Sequence, residues 1–400
     1  MFFHKLKLKY SLKNATIYNS MHTAQQHNFI VTEGSYYDMG FQQGEKFKGE
    51  IQRVFKRILK MESISLVKPI FLPGFLFAKI FKKFGTNKVK KPIDIITPNQ
   101  AYRILGLSEG SKTDLDTLYC VQALEVISNE VNFVMGCFSI ALLREKFNGK
   151  KLVIGKNFDY IKGFTTDNII RISKPKGKYS SIDLTYHSIA GAHDGMNEKG
   201  LVVIYNYGVT KEYTEARLPI TLIVQDILEN CATVDEAIAL IRNFRYPNGA
   251  ILTLADVKNN VASVEISPEH IGLRYPKDGF LVNTNFFQTP EMKQYDIPSD
   301  AYYSKKSPKA IRGTRIHESN EKRYYRSLDL LHGRSSVDMN LMKNILMDHD
   351  NKPRGDGDTI CRHGEFFETQ VSAMFFPEDR KVLVNIGNPC GGIYKEYSIQ

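Results

Sequence analysis

The spacing of apolar residues changes at Cys137 from a helical to a strand-like pattern. Before this residue, apolar positions recur with the helical period over residues 47–61 and 115–127, and residues 37–44 lead into the first of these stretches. After it, short apolar or alternating runs predict strands, and the first strand begins at Cys137 itself. The pattern therefore predicts a helical N-terminal region followed by a strand-rich region.

The strand-rich region is predicted to contain runs of strands separated by pairs of helices. Thr233, followed by Glu236, is typical of a helix N-cap. Helices are predicted at residues 218–229, 234–244, 321–331 and 337–347. Strands are predicted at residues 152–158, 169–172, 182–186, 201–207, 251–255, 261–266, 279–283, 371–376 and 382–386. Strand runs separated by helix pairs favour a layered α+β fold over a regular alternation of strand and helix.

Length and composition are those of an ordinary globular protein. The chain has 400 residues, of which 42% are hydrophobic and 24% charged, whereas disordered chains are poorer in hydrophobic residues. This length fits one large domain with an extension. We divide the chain where the pattern changes, into an N-terminal region of residues 1–136 and a main domain of residues 137–400.

The cysteines and the first residues bear on the cellular compartment. The five cysteines are odd in number and widely spaced, which suits neither a disulfide framework nor a paired zinc motif. The first ten residues mix lysines with apolar residues and lack the continuous apolar run of a secretory signal. No stretch reaches the roughly 18 apolar residues of a membrane span. We therefore expect a cytoplasmic protein.

Positive charge is concentrated in one window of the chain. The formal net charge is +11, and residues 63–93 contain seven lysines and no acid. Four apolar residues in this window share one face at helical spacing, which predicts a short amphipathic helix with a basic face: Phe77, Ile80, Phe81 and Phe84. A packed helix with solvated lysines is the simpler interpretation, and a membrane-surface or acyl-chain contact through residues 68–91 is the alternative. No nucleic-acid partner is expected, because no binding motif accompanies the lysines.

Gly136 and Cys137 begin the segment with the strongest chemical signal. Asp159 follows 22 residues after Cys137, close enough for two adjacent antiparallel strands to bring its carboxylate beside the thiol. Taken alone, Cys137 is one cysteine among five, and buried structural cysteines outnumber nucleophiles. Asp159 alone would suit a turn at a strand end. The order of further motifs decides between these interpretations.

An ordered set of motifs resembles the acyl-coenzyme A:6-aminopenicillanic acid acyltransferase family and, more distantly, the choloylglycine hydrolases. Both are cysteine members of the N-terminal nucleophile (Ntn) hydrolases. No single motif is decisive, but their order is specific. The motifs are residues 33–44 (EGSYYDMGFQQG), Gly136-Cys137, residues 155–159 (GKNFD), 197–201 (NEKGL), 283–286 (NTNF), 322–326 (KRYYR), 346–349 (LMDH), 360–363 (ICRH) and 388–397.

The resemblance implies a fold and a site. The implied fold is a four-layer αββα sandwich with a helical N-terminal prosegment, which the protein cuts from itself between Gly136 and Cys137. The freed α-amino group, with a pKa of about 7.7 to 8, would then be the base for the thiol, so that no histidine is needed. The implied roles are Cys137 as nucleophile and processing residue, Asp159 as partner of the thiol or its α-amino group, Asn206 and Asn285 as oxyanion donors, and Arg323 as a positive charge near the sulfur.

Without the family pattern, these residues have ordinary alternatives. The two asparagines would be interpreted as strand-end or turn residues, and Arg323 as part of a solvated helix face. Two residues also depart from the families. Phe138 follows the nucleophile where they usually have a small polar residue, and Lys156 stands where the choloylglycine enzymes have arginine. We assign both tentatively to substrate binding and expect either a more apolar pocket beside the thiol or slower self-cleavage.

A metal or cofactor is not predicted. His349, Cys361 and His363 could suggest a metal site, but two close ligands and a distant third are a weak spacing. The family resemblance assigns no metal and no cofactor either. The predicted site therefore consists of protein groups alone.

Three functions stay open on the sequence. The leading one is hydrolysis of a linear amide C–N bond through an acyl-enzyme on Cys137. An acyltransferase using acyl-coenzyme A would share that intermediate, although no glycine-rich phosphate loop is present. The third is a non-enzymatic lipid or membrane-surface binding protein with a decayed site, suggested by the lysine window and Phe138. We expect a small amide or acyl substrate with a long apolar acyl group; the oligomeric state is not predicted.

Overall fold

Two β-sheets form the centre of the computed structural model, which describes residues 28–127, 136–212, 214, 218–244 and 248–399. The larger sheet contains β1 (Phe29–Gly34), β4 (Asn168–Pro175), β5 (Ser181–Tyr186), β6 (Asp194–Asn197), β7 (Val202–Gly208), β8 (Gly249–Ala255), β9 (Val261–Ile266) and β10 (Ile271–Arg274), in that spatial order. The smaller sheet has the order β11 (Phe280–Asn283), β2 (Gly136–Leu142), β3 (Val153–Ile161), β12 (Phe367–Phe376), β13 (Lys381–Ile386) and β14 (Lys395–Ser398). Neighbouring strands are antiparallel except for β1 and β4, which are parallel.

The described helices fall into an N-terminal group, two later pairs and one short helix between the pairs. The N-terminal group is α1 (Tyr36–Lys46), α2 (Lys48–Ile58), α3 (Glu62–Leu66), α4 (Gly74–Ile96), α5 (Pro98–Ser111) and α6 (Leu115–Gln122). The later helices are α7 (Ile220–Asn230), α8 (Val234–Ile241), the short α9 (Pro290–Lys293), α10 (Glu318–Leu331) and α11 (Met339–Leu346). Thr233 caps α8 by accepting a hydrogen bond from the Glu236 N–H, as the sequence predicted.

The sheets and helices form four layers. Within the sandwich, β2 packs against β7 and β8. α7 and α8 cover the outer face of the larger sheet, and α10 and α11 cover the outer face of the smaller one. β2, β3 and β7 are buried along their whole length, so that the polar residues of β3, which are Lys156, Asn157 and Asp159, are enclosed by protein. The predicted α+β sandwich with αββα layers is confirmed.

The N-terminal region is built into this sandwich. β1 pairs with β4 over six residues, from Phe29 opposite Ile170 to Gly34 opposite Pro175. α1 packs very closely on α5: a Cβ atom at Gly40 would lie 2.0 Å from the carbonyl oxygen of Arg103. The glycines therefore allow the two helix backbones to touch. The division at residue 136 thus separates two parts of the chain that share one sheet.

Buried polar contacts also join the N-terminal region to the larger sheet. Arg103 on α5 lies 3.6 Å from the Glu229 carboxylate on α7, and the Tyr36 hydroxyl donates to the same carboxylate at 2.9 Å. Burial raises the pKa of Glu229 to about 7, although Arg103 opposes this shift. Removing one partner of such a buried pair costs about 3–5 kcal/mol, because the other charge is left unpaired. These contacts do not depend on the peptide bond at residue 136.

The lysine-rich window forms a longer helix than the sequence predicts, and its apolar residues divide between two environments. Phe77 and Phe81 are buried against the N-terminal helices, whereas Ile80 is 51% exposed and Phe84 lies at the surface. The reason is that α4 packs on α6 through only part of its apolar face. Among the residues that the structure describes, no helix has the length and apolar character needed to cross a membrane.

Candidate active site

Cys137 is the second residue of β2, a strand that lies between β11 and β3 in the smaller sheet. Its side chain is only 1% exposed. In the register with β3, Cys137 is opposite Phe158 and Gly136 is opposite Asp159. Asp159 therefore lies beside the peptide bond that precedes Cys137, one residue away from the position directly across from the thiol.

The side chains of β2 alternate between two interiors, as strand geometry requires. Cys137 belongs to the core between the two sheets, together with Phe158. Phe138 belongs to the core between the smaller sheet and its helices, where Leu331 and Met342 are neighbours. The structure thus does not bring Phe138 to the thiol's side. Its large apolar side chain fills the helix-covered face of the sheet, which explains why a small polar residue is not needed here.

Lys156 is the cation on the thiol's side of the sheet. Its buried ammonium donates hydrogen bonds to the carbonyl of Tyr205 and, at 3.3 Å, to Oδ1 of Asn206. It also lies 3.6 Å from the Asp194 carboxylate. Burial raises the pKa of Cys137, and the positive charge of Lys156 is the largest effect that opposes this rise. Lys156 therefore stabilises the thiolate by charge and is enclosed by protein groups.

Asn285 and Arg323 hold the main chain of Cys137. The Cys137 N–H donates to Oδ1 of Asn285 at 2.8 Å. The Arg323 guanidinium donates to the Cys137 carbonyl oxygen at 2.5 Å and to Oδ1 of Asn285 at 3.0 Å. Burial, aided by the charge of Arg362, lowers the pKa of Arg323 to about 10. The arginine therefore keeps its charge near neutral pH, and it acts on the main chain of Cys137.

Asp159 lies between two arginines. Its Oδ1 accepts a hydrogen bond from the Thr369 hydroxyl at 2.7 Å. Its Oδ2 lies 3.5 Å from Arg323 and 3.8 Å from Arg362, but within the described residues no donor makes a hydrogen bond to this oxygen. Burial raises the pKa of Asp159, and Arg362 and Arg323 oppose the rise. A buried carboxylate oxygen without a donor is costly unless another group can bind it.

Asn206 lies on β7 of the larger sheet and contacts the same group of residues. Its amide nitrogen donates to the carbonyl oxygens of Asn283 and Thr284 at 3.3 and 3.1 Å, and its Oδ1 accepts from Lys156. These contacts connect β7 to the end of β11, next to Asn285. The five residues assigned as catalytic from the sequence thus lie in one cluster.

Sequence reasoning missed Arg362, which packs against Gly136. A Cβ atom at Gly136 would lie 2.1 Å from Nη1 of Arg362, so any larger residue would push the guanidinium away from Asp159. Arg362 is held by its Nε, which donates to the Gly357 carbonyl at 2.8 Å, and by the ring of Phe367, 4.8 Å from the guanidinium carbon. The motif at residues 360–363 was a signal for it, but that motif alone assigns no contact.

One cavity adjoins this cluster, and a smaller one lies apart from it. The first, of about 330 Å³, is lined by Asn285, Arg362 and Phe367, and within the described residues Cys137 is not part of its lining. A second, apolar cavity of about 40 Å³ lies between the N-terminal helices and the larger sheet, lined in part by Tyr160 and Tyr186. Phe158, opposite Cys137, stacks on Tyr160 with ring centres 5.7 Å apart. Aromatic rings therefore connect the thiol's surroundings with the smaller cavity.

Comparisons with known proteins find relatives of low sequence identity and one matching family. Protein dcd1B of Dictyostelium discoideum is 24% identical over 273 residues, which are 64% of this chain and 53% of dcd1B, so the chain spans about half the length of this curated relative. A Caenorhabditis elegans N-acylethanolamine-hydrolyzing acid amidase ortholog has a TM-score of 0.42 and 19% identity, covering 60% of this chain and 93% of its own. A variant of the conjugated bile acid hydrolase from Clostridium perfringens has a TM-score of 0.41 and 16% identity, covering 66% and 97%.

The family match concerns the larger part of the chain. Residues 146–390 match the family model described as acyl-coenzyme A:6-aminopenicillanic acid acyl-transferase. This range begins after Cys137, but it contains Asp159, Asn206, Asn285 and Arg323. The match covers more than half of the chain. The chain therefore belongs to the acyl-coenzyme A:6-aminopenicillanic acid acyl-transferase family.

Proposed function

We propose that this protein is a cysteine amidohydrolase that cuts its own chain before Cys137 and then cleaves linear amide C–N bonds. The observation that carries the proposal is the set of polar groups on the Cys137 main chain. Asn285 binds its N–H, Arg323 binds its carbonyl, and Asp159 lies across from Gly136. A cysteine that serves only packing needs no charged groups on its main chain, whereas a self-cleaving one does, because its own peptide bond reacts.

The cut proceeds as an acyl shift followed by hydrolysis. The Cys137 sulfur attacks the carbonyl carbon of Gly136, the C–N bond breaks, and the nitrogen of Cys137 leaves as an amine after taking up a proton. Water then hydrolyses the thioester, which gives a carboxylate at Gly136 and a free thiol. Lys156 favours the attacking thiolate against the effect of burial. The free acceptor oxygen of Asp159 supports this course, since the new α-ammonium group can donate to it.

Substrate hydrolysis uses the same groups. The α-amino group takes the thiol proton, the sulfur attacks the amide carbonyl, and the tetrahedral oxyanion accepts hydrogen bonds from asparagine amides. We assign this role to Asn285 and Asn206, and each would have to reorient an amide N–H that now binds a main-chain carbonyl. The amine leaves with the proton, and water releases the acyl group from Cys137.

A long apolar acyl group is the substrate feature that the aromatic path from Phe158 to the smaller cavity supports. We expect kcat/KM for a series of acyl aminocoumarin amides to rise with chain length over the few methylenes that a cavity of about 40 Å³ can hold, by up to about fourfold per methylene, because each buried CH₂ contributes about 0.8 kcal/mol. Fluorescence of the released amine measures the rates. Ile58→Phe, which narrows this cavity, should lower the rate ratio of long to short amides. Fastest hydrolysis of the shortest amides would overturn this specificity.

The same acyl-enzyme allows acyl transfer, and one experiment separates the two reactions. A primary amine is added to the aminocoumarin assay, and acyl-coenzyme A is then supplied as donor in place of the amide. A hydrolase gives mainly free acid in both cases. Faster formation of the new amide than of free acid, with acyl-coenzyme A as the better donor, would establish the transferase instead.

A membrane-surface contact has its own supporting observation. Ile70 is 101% exposed, and Phe71 and Phe75 are also largely exposed, beside Lys79 and Lys83 of the basic window. We propose that this surface binds anionic lipid bilayers, because it combines exposed apolar side chains with positive charge. Exposed apolar groups can enter the interface while lysines bind lipid phosphates.

Vesicle sedimentation tests this contact independently of catalysis. The protein and its Cys137→Ala variant are expected to sediment equally with phosphatidylserine-containing vesicles and less with neutral ones. Lys79→Gln with Lys83→Gln should reduce binding by on the order of thirtyfold, because each lysine near the membrane surface contributes about 1 kcal/mol. The matched control neutralises Lys174 and Lys176, which lie at the end of β4. Equal loss in both double variants, or no vesicle binding by wild type, would contradict the proposal.

A further inference from the structure

Two histidines and two cysteines lie together beside Arg362, outside the catalytic cluster. His349, Cys361, His363 and Cys390 each offer one ligand atom, and these atoms all lie within 4.8 Å of one another. The sulfur atoms of Cys361 and Cys390 are each 3.3 Å from Nε2 of His363. Three of these residues were weighed from the sequence and set aside; the fold adds the fourth.

We infer that these four side chains bind a zinc ion in a tetrahedral site. Zinc bonds of about 2.3 Å to sulfur and about 2.0–2.1 Å to nitrogen place neighbouring ligand atoms roughly 3.3–3.8 Å apart. The two observed nitrogen–sulfur distances of 3.3 Å agree with this spacing. Two thiolates and two imidazoles are a zinc ligand set, whereas magnesium and calcium prefer oxygen ligands.

Local packing supports a ligand role for the histidines. Within the described residues, Nε2 of His349 is buried and has no hydrogen-bond partner, a cost that a metal or another bound group would remove. The two imidazole rings are nearly perpendicular, with centres 5.0 Å apart. Gly355 lies against both: a Cβ atom there would be 2.7 Å from Cδ2 of His363 and 2.8 Å from Cδ2 of His349. Glycine thus leaves room for both rings to turn toward one point.

The site joins segments that are far apart in the chain. Cys361 and His363 lie just before β12, while Cys390 lies after β13. The Cys361 N–H donates to the carbonyl of Asp348 at 3.1 Å, and the Asp348 carboxylate pairs with Arg326 on α10 at 2.8 Å. Four protein ligands leave no open position for a reacting water, so the zinc would be structural.

A zinc ion at this site would also position Arg362. This part of the inference rests on the proposed function. Arg362 lies between Cys361 and His363, so a metal bound by both neighbours would fix the main chain on either side of it. Its guanidinium reaches Gly136 and the Asp159 carboxylate. The zinc ligands are thus positioning residues for Arg362, and loss of zinc is expected to slow self-cleavage without changing its position.

Metal content tests the inference directly. The full chain and its Cys137→Ala variant, purified without added metal under reducing conditions, are expected to contain about one zinc per chain by mass spectrometry of the elements. Cys390→Ser, at the most exposed ligand, should lower this by about tenfold after dialysis against a weak chelator. Cys231→Ser is the matched control, because Cys231 is a free cysteine away from the cluster, and it should leave the zinc content unchanged.

Cobalt binding and the intact mass of the wild-type protein still test the inference if a ligand variant fails to fold. Co²⁺ added to zinc-depleted protein is expected to give the visible bands of tetrahedral thiolate coordination, and these bands should be absent in Cys361→Ser. A zinc-free wild type would overturn the inference, and a wild-type mass about 2 Da below the reduced value that Cys390→Ser does not show would identify a disulfide at Cys390 instead. Zinc bound equally by wild type and Cys390→Ser would also overturn it. Because Cys137→Ala is measured for zinc alone, failure of the metal site and failure of the proposed activity are distinguishable.

Discussion

Replacement of Cys137 by alanine is expected to abolish both self-cleavage and amide hydrolysis. Wild type should yield two fragments, residues 1–136 and 137–400, whereas the variant should remain a single chain of 400 residues. The reason is that the same sulfur attacks in both reactions, and removal of a covalent nucleophile typically lowers kcat by on the order of 10⁶-fold. Intact mass and denaturing gels measure the cut, and released aminocoumarin measures hydrolysis.

Another buried cysteine provides the control for Cys137→Ala. Cys231→Ala removes another buried thiol, 4% exposed, and should leave both cleavage and hydrolysis unchanged. A Cys137→Ala chain that is still cut before residue 137 would exclude Cys137 as the processing residue. An uncut wild-type chain would remove the free α-amino group from the mechanism, and the lipid-binding function would become the leading candidate.

The two fragments are expected to stay together after the cut. On gel filtration they should elute as one species, because β1 remains paired with β4 and Arg103 remains paired with Glu229. Denaturant should separate them. Separation of the fragments in native buffer would contradict the role that we assign to these contacts.

Replacement of Arg323 by methionine is expected to have the second-largest effect. It would leave the Cys137 carbonyl and Oδ1 of Asn285 without their guanidinium donor and Asp159 with one arginine fewer. Removing one partner of a buried ion pair costs about 3–5 kcal/mol. We therefore expect both a lower melting temperature and self-cleavage slowed at least about a hundredfold, because the main chain at Cys137 loses its fixed position.

A neighbouring lysine provides the matched control for Arg323. Lys322→Met removes a positive charge from the same helix, but Lys322 is exposed and its ion pairs with Glu318 and Asp358 lie at the surface, where such pairs contribute about 0–1 kcal/mol. Arg323→Lys should restore the melting temperature more fully than the rate of self-cleavage. The reason is that lysine retains the positive charge but lacks the planar guanidinium group, which can bind two acceptors at once. Cleavage of folded Arg323→Met at the wild-type rate would refute the assignment.

The fold was largely predictable where a segment's own apolar pattern determines its structure. Every helix and strand predicted from the sequence has a counterpart. β6 (DGMN), β10 (IGLR) and β14 (KEYS) were missed, because such short segments become strands through pairing with their neighbours. α5 was missed because Gly106 and Gly110 are weak helix formers, and their packing against α1 is visible only in the structure.

The sequence motifs selected five residues that lie in one cluster, but not the contacts that each of them makes. The motif order selected Cys137, Asp159 and Arg323, but which face of β2 each one meets follows from strand register. That register places Lys156 on the thiol's side, while Arg323 binds the main chain of Cys137. Arg362 was missed because its contact with Gly136 joins distant parts of the chain.

The parallel pairing of β1 with β4 has a consequence for how the protein can be assembled. Before the cut, β1 reaches its partner as part of one molecule, so folding is a first-order process. After the proposed cut, the same pairing would require an encounter between two polypeptides, and recovery from denaturant should then depend on protein concentration. Cys137→Ala would refold at a rate independent of dilution. The proposed cut would therefore convert a single chain that can refold by itself into a two-chain protein whose refolding requires its two fragments to meet.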